Sequence, residues 1–302
     1  MSIAEADLYS GAHARQAGVA NRRAPSLEEQ LGLGGATIRV LPFIRLCGVR
    51  IHAVTEDEAI AHVLDELDAG RGGHVVTPNL DHLRRVRQDP SLLNLYCNAD
   101  LVVADGMPLI WAARLQRTPL PERVAGSSLV NTLTAAAARR GRSIFFLGGS
   151  PGTAAAAAEA LKQRYPDLVV AGTYCPEIGF EKDPAELSKV MRTLEAARPD
   201  IVYVALGSPK QERLILQLRG CAPQAWWLGI GISFSFVAGE IQRAPRWVQR
   251  LGMEWLHRLM QEPRRLAKRY LVHGLPFAGS LLMSSAMCGM MRLVSSARAS
   301  RA

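Results

Sequence analysis

Much is missing from this 302-residue chain, and each gap removes a class of chemistry. The five cysteines (Cys47, Cys97, Cys175, Cys221 and Cys288) are odd in number and include no C-x-x-C pair. That usage fits a reducing compartment better than a disulfide framework. The seven histidines are dispersed and no H-E-x-x-H occurs, which argues against a zinc site. There is no G-x-S-x-G elbow, and no Gly-Lys-Ser/Thr follows a glycine loop. The opening MSIAEADLYS carries early acids and no apolar run, which is not the form of a signal peptide.

What is present is a positive charge excess, +9 overall, with 48% apolar and 21% charged residues. The excess is concentrated. Arg243, Arg246, Arg250, Arg258, Arg264, Arg265, Lys268 and Arg269 face only Glu254 and Glu262 within the same stretch, which holds +6 of the total. Such a patch seeks phosphate, in a nucleotide, a nucleic acid or an anionic lipid.

Three regions follow from pattern. Residues 1–42 lack periodicity and read as a flexible arm. Residues 43–245 alternate short β-branched runs with helical stretches. Strands are expected at 44–51, 74–77, 101–104, 143–147, 168–173, 201–206 and 225–230. Helices are expected at 56–69, 80–97, 107–116, 127–140, 152–165, 184–197 and 210–219. Thr55 with Glu58 forms a capping box, and Asp183 precedes a first-turn proline. The alternation predicts an α/β fold, a mostly parallel Rossmann-like sheet with helices on both faces. Residues 246–302 form a basic and apolar appendage, broken near Pro263. Its run 271–291 is about long enough to span a bilayer but is diluted by His273, glycines, Pro276 and serines, which favours an interfacial or packed helix over a span.

Ligands of parallel sheets sit beyond the carboxyl ends of strands, so the residues there are the candidates. Thr77 and Asn79 follow the second expected strand, and Asp105 with Gly106 follows the third. Each reads either as a polar site or as a helix cap. Gly148, Gly149 and Gly152 precede a helix and have the form of a phosphate cradle. Gly207, Lys210, Gln211 and Glu212 crowd a glycine, a cation, an amide and a carboxylate into one turn, or else cap a surface helix. Arg123 suits a phosphate or carboxylate, or a surface ion pair.

Seven segments in order resemble the WecG/TagA/CpsF family of bacterial glycosyltransferases (family 26). They are TPNLDHL (77–83), ADLVVADGMPLIWAARL (99–115), ERVAGSSL (122–129), IFFLGGSPGTA (144–154), YVALGSPKQE (203–212), GIGISFSFVAGEIQRAP (229–245) and GMEWLHRLMQEPRRLAKRY (252–270). The resemblance implies a GT-E core. It also implies inverting transfer of a hexose or N-acetylhexosamine from a UDP-sugar to an undecaprenyl-diphosphate-linked sugar, in bacterial surface or exopolysaccharide synthesis. Asp105 matches the family's proposed base, Thr77 and Asn79 the pair beside it, and Arg123 and Gln211 the substrate-binding positions. Arg258, Arg264 and Arg265 are expected to face the lipid diphosphate. A D-x-D triplet is absent, so no metal or other cofactor is expected, and arginines and helix N-termini would have to stabilise the leaving group. The implied location is cytoplasmic, peripheral to the inner face of the cytoplasmic membrane, without nucleic acid and with room for a homo-oligomer. The appendage departs from the family by extending through 271–302.

Two rival readings are an NAD(P)-binding oxidoreductase and a non-enzymatic anionic-lipid or nucleic-acid binder. The first lacks a ribose-binding acid at the second strand end, where Leu168 to Thr173 supplies none. The second leaves the polar strand ends idle.

Overall fold

Residues 40–250 and 252–299 are described in the computed structural model. The arm expected over 1–42 lies outside the described residues except for its last three, and there Leu41 is already buried in the core.

A hairpin comes first. β1 (Phe43–Leu46) and β2 (Val49–His52) pair antiparallel, Phe43 opposite His52 and Leu46 opposite Val49. This corrects the single strand expected over 44–51. Cys47 and Gly48 take positive φ values of 48° and 81°, the two-residue turn whose twist matches that of paired strands.

The six remaining strands are all parallel: β3 (Gly73–Val76), β4 (Leu101–Val102), β5 (Ser143–Gly148), β6 (Val169–Tyr174), β7 (Ile201–Ala205) and β8 (Trp226–Gly229). Their spatial order is β4-β3-β8-β7-β5-β6. Register places Val75 opposite both Leu101 and Leu228, and Tyr203 opposite both Phe146 and Leu228. The near-continuous apolar strands are those of a sheet covered on both faces. Ile144, Phe146, Ile201 and Tyr203 point to one layer, formed by α1 (Glu56–Asp68), α5 (Gly126–Arg139) and α6 (Thr153–Arg164). Phe145, Leu147, Val202 and Val204 point to the other, against α7 (Pro184–Ala197) and α8 (Lys210–Leu218). That second layer continues under β3 and β4 with α2 (Leu80–Gln88), α3 (Ser91–Cys97), α4 (Met107–Leu115) and the hairpin.

The expected caps form. Thr55 and Glu58 bond reciprocally at α1, and Asp183 accepts from Ala185 and Glu186 ahead of Pro184. The helix expected over 80–97 is two helices. Asp89 sits at φ −134°, ψ 94° before Pro90, because a residue preceding proline is forced out of the helical region.

One exit differs from its neighbours. The chain leaves β3, β4 and β7 for helices of the second layer, but leaves β8 for α9 (Ser233–Val237), whose Phe234 packs into the first. Loops parting to opposite faces open a crevice at the carboxyl edge.

The appendage closes over that edge. It comprises α10 (Arg246–Arg250), α11 (Glu254–Gln261), α12 (Pro263–Ala267), a π-helical turn (Lys268–Gly274) and α13 (Leu275–Ala299). The helical run Pro263–Ser296 is long and apolar enough to cross a membrane by length and composition alone. One face of α13 is nevertheless packed. Phe277 and Leu281 are buried with α4 residues Leu109, Ile110, Ala112 and Ala113, and Arg87 donates to Ser280. At Gly289 a Cβ would come within 2.1 Å of the Leu115 carbonyl oxygen, so helix contact there requires glycine. Gly289→Leu is therefore expected to weaken docking of α13 by about 1–3 kcal/mol. Limited proteolysis should then cut within 275–299 about tenfold faster, since cleavage follows the open population, while melting of the sheet core changes little.

Candidate active site

A cleft of about 620 Å³ occupies the crevice beyond β3, β4, β7 and β8, under the appendage. Thr77, Asn79, Asp105, Arg123, Gly207 and Gln211 all line it. Segments separated by more than a hundred residues thus meet because their strands end side by side.

Asp105 stands where the backbone leaves β4. Its amide donates to the Pro78 carbonyl at 2.9 Å, joining the ends of β3 and β4. Gly106, at φ 130°, then turns the chain into α4. Burial pushes the Asp105 carboxyl up to about 6 from its ordinary 3.8, opposed by the Arg123 guanidinium, assisted by Glu254, and opposed more weakly by Arg243 and Arg258. A carboxyl in that range is ionised at neutral pH and still basic enough to take a proton from a hydroxyl.

Arg123 does not reach Asp105 through a hydrogen bond. Its Nη1 donates to Glu254 Oε2 at 3.1 Å, while Arg243 Nε donates to Glu254 Oε1 at 3.3 Å. Arg243 also donates to the Ser127 carbonyl and Ser128 Oγ. The first turn of α11 is thereby fastened to the start of α5. That start has no side-chain cap and opens onto the cleft through Gly126 and Ser127. A Cβ on Gly126 would stand 2.9 Å from Thr77 Oγ1, so only glycine lets the helix end approach β3. Unpaired N–H groups at this N-terminus suit an anion.

For Asn79 the capping alternative is realised as well: its Oδ1 accepts from the Asp81 and His82 amides, and its own amide donates to His82 Nδ1. Burial holds His82 down, to about 4, so its ring stays neutral. Gln211 is buried and joins two loops. Its Oε1 accepts from the Gly207 and Gly231 amides at 3.1 and 3.0 Å, and its Nε2 donates to Glu212 Oε1 at 2.9 Å.

Several expected site residues lie elsewhere. Lys210 pairs with Glu181 at 2.9 Å, away from the cleft, and Glu212 is buried behind Gln211. Gly148, Gly149 and Gly152 do not line the cleft either. The helix after β8 intervenes: α9 turns Ser233 and Phe236 to the cleft and packs Phe234 toward Gly149. Glu240 accepts from Thr153 Oγ1 at 2.7 Å in the first turn of α6, so a carboxylate already sits near the helix end expected to hold phosphate. The start of α5, by contrast, lines the cleft through Gly126 and Ser127.

Of the three appendage arginines expected at phosphate, Arg258 and Arg265 line the cleft and Arg264 is exposed outside it. Arg269 and Arg85 line it too. Arg258, Arg265 and Arg269 stand on α11, α12 and the π-helical turn in succession, so the bends between these elements bring them to one cleft, which no single helical spacing in the sequence foretells. Arg258 lies over the Phe236 ring at 5.7 Å, and Arg269 pairs with Asp81 at 3.1 Å. The Nε atoms of Arg258 and Arg269 are buried without a hydrogen-bond partner. Buried guanidinium donors are usually paired in folded proteins; outside the cleft the Nε atoms of Arg50 and Arg142 are unpaired too. Among the described residues no cluster of three or more His, Cys, Asp or Glu could hold a metal ion.

The model of the "Glycosyl transferase WecG/TagA/CpsF family" matches residues 44–288. The chain belongs to this glycosyltransferase family. A curated relative from Bacillus spizizenii (strain ATCC 23059 / NRRL B-14472 / W23) is 33% identical over 199 residues, covering 66% of this chain and 75% of the relative. Its name is N-acetylglucosaminyldiphosphoundecaprenol N-acetyl-beta-D-mannosaminyltransferase. Membership of the WecG/TagA/CpsF family makes the protein an enzyme, and it leaves neither rival reading a role.

In this glycosyltransferase Asp105→Asn is expected to lower kcat by about 10²–10⁴-fold. The wild-type kcat/KM should fall below about pH 6, as protonation removes the base. The same substitution should raise the melting temperature at pH 7.5. The fold holds the Asp105 proton more tightly than an unfolded chain, so the ionised carboxylate weakens the fold above about pH 6, and that penalty fades toward pH 4. Glu254→Gln removes a charge that raises Asp105 and is expected to move the acid limb of the pH profile downward. An unmoved limb shows that Glu254 does not act on the base.

Proposed function

We propose that the enzyme transfers a hexose or N-acetylhexosamine from a UDP-sugar to a polyprenyl-diphosphate-linked sugar, with inversion. The observation that carries this reading is one cleft holding a carboxylate of raised pKa and several arginines, two with orphaned donors. The acceptor class follows the name of the Bacillus relative, whose acceptor is an N-acetylglucosaminyl diphosphoundecaprenol.

In the proposed step an acceptor hydroxyl attacks the anomeric carbon and Asp105 takes its proton. The bond from that carbon to the β-phosphate oxygen breaks, and UDP leaves with the electron pair. Thr77, Arg123 and the open start of α5 are placed to hold one diphosphate. Arg258, Arg265 and Arg269 are placed to hold the other. Fixed donors in a cleft shielded from water stabilise developing charge without reorganising. On this reading no metal is needed. Incubation with a panel of UDP-sugars and a lipid-diphosphate-sugar acceptor should give transfer to one donor class, retained in EDTA. Loss of transfer in EDTA would refute the metal-free assignment and leave the transferase standing.

The same reading puts the enzyme on the inner face of the cytoplasmic membrane. Opposite its packed face α13 exposes Met283, Met287, Met290 and Val294, a stripe at helical spacing that suits the headgroup boundary. The double variant Met287→Asp with Met290→Asp is expected to cut sedimentation with anionic vesicles severalfold in moderate salt. Unchanged sedimentation rules out this face as the contact.

A further inference from the structure

The cleft is not uniformly polar. Its far wall is built by the start of α4 and the start of α13, from Met107, Pro108, Trp111, Leu275 and Ala278. Of the arginines that line the cleft, Arg85, Arg258, Arg265 and Arg269 come from α2, α11, α12 and the π-helical turn. Two wall residues belong to the outer surface as well. Trp111 is 42% exposed and Leu275 53% exposed while both line the cleft. Apolar side chains of the cleft lining therefore also reach the outer surface. Leu115, one helical turn beyond Trp111, is also exposed. The helices run outward together, since Leu275 and Ala278 share the cleft with Trp111 while Gly289 meets Leu115 at the far end. Gly289 lies eleven positions beyond Ala278, about 16 Å of helix at 1.5 Å per residue.

We infer that this α4–α13 wall is the subsite for the first isoprene units of the acceptor, guiding the polyprenyl chain out of the cleft toward the exposed face of α13. The inference rests on the acceptor class proposed above and adds where its lipid part goes. The charge pattern favours this occupant over a second sugar or the uracil ring. A sugar seeks hydrogen-bonding partners, and these five side chains present none except the Trp111 indole N–H. The donor's nucleotide is soluble and has no reason to meet a wall open to an apolar outer surface. A diphosphate bearing a hydrocarbon chain matches both halves of the cleft at once: arginines for the anion, and a tryptophan, a leucine and small or flexible residues for the chain. The exposed methionines beyond are unbranched and polarizable, suited to a chain without fixed shape.

The test compares two acceptors carrying the same sugar diphosphate, one on a polyprenyl chain in detergent micelles and one on a short alkyl group in free solution. Wild-type enzyme is expected to prefer the polyprenyl acceptor in kcat/KM. Leu275→Asp places a charge on the wall, and Ala278→Trp narrows it while keeping it apolar. Each is expected to reduce the preference, the ratio of the two kcat/KM values, about tenfold, mainly through KM of the polyprenyl acceptor. An unchanged ratio in both variants overturns the subsite. So does a wild-type enzyme indifferent to chain length. A wild-type enzyme active with a donor but with neither acceptor overturns the acceptor reading itself, a separate result.

Discussion

The cleft exists because one carboxylate is shared by two guanidiniums. Glu254 sits between Arg123, from the loop before α5, and Arg243, from the loop that leads to the appendage. All three side chains are largely shielded from solvent. A lone charge in such a position would carry several kcal/mol of desolvation penalty, and removing one member of the set leaves the others exposed to it. The arrangement holds α11 against the core on one side. On the opposite rim Asp81 receives Arg84, Arg85 and Arg269, tying the π-helical turn to α2. Two acidic groups in a strongly basic neighbourhood thus hold the roof to the sheet edge, while the other two cleft arginines of the roof, Arg258 and Arg265, share Glu262 within the roof itself.

Asp105 is tuned by the same ties. Were its surroundings only arginine, the carboxyl would be driven down and would lose basicity. Burial and the Glu254 charge push the other way, and the balance lies near 6. The device that closes the cleft therefore also sets the Asp105 carboxyl. The rim below is held by short backbone approaches. Gln211 joins the loops after β7 and β8, where a Cβ on Gly229 would lie 2.5 Å from its amide nitrogen, and Gly126 admits Thr77. Small residues at these points are needed for strand ends to converge within reach of one substrate.

The α/β class, the parallel sheet and most helix limits were legible in the chain because apolar runs, capping residues and prolines act locally. Pro184 and the Thr55–Glu58 box set their helices as the pattern predicts. The hairpin at Cys47–Gly48 was not legible, since a cysteine at positive φ carries no turn signal. Asp105, Arg123, Thr77 and Gln211 gather in one cleft as expected of strand ends. The glycine loop misleads for a topological reason. Its sequence has the form of a phosphate cradle, but β5 lies three places from β3, and the unusual exit of β8 puts α9 in between. Strand order and the face each connection takes are long-range properties, absent from any local motif. Glu254 was read only as a charge opposing arginines, because its pairing with residues 131 and 11 positions away is a tertiary fact.

The same kind of reasoning bears on the proposed contact of α13 with a bilayer. Crossing one would require the helix to leave α4, exposing Phe277 and Leu281 and the surface they cover. Each such side chain contributes about 1.5–3 kcal/mol when buried. Lipid would cover those side chains in turn, so α13 loses little of its own. The loss falls on α4 and the hairpin cluster, which would face water at Leu109, Ile110 and Ala113. Lying on the surface keeps the packed face packed and still covers Met283, Met287, Met290 and Val294. It also holds the mouth of the cleft, marked by Trp111 and Leu275, against the apolar layer. A lipid-bound acceptor could then reach Asp105 without leaving the membrane. A helix that is apolar on two opposite faces is ambiguous by composition; on the membrane reading proposed above, the glycine contact at position 289 belongs to the lying geometry, because that contact forms only when α13 stays against its own protein.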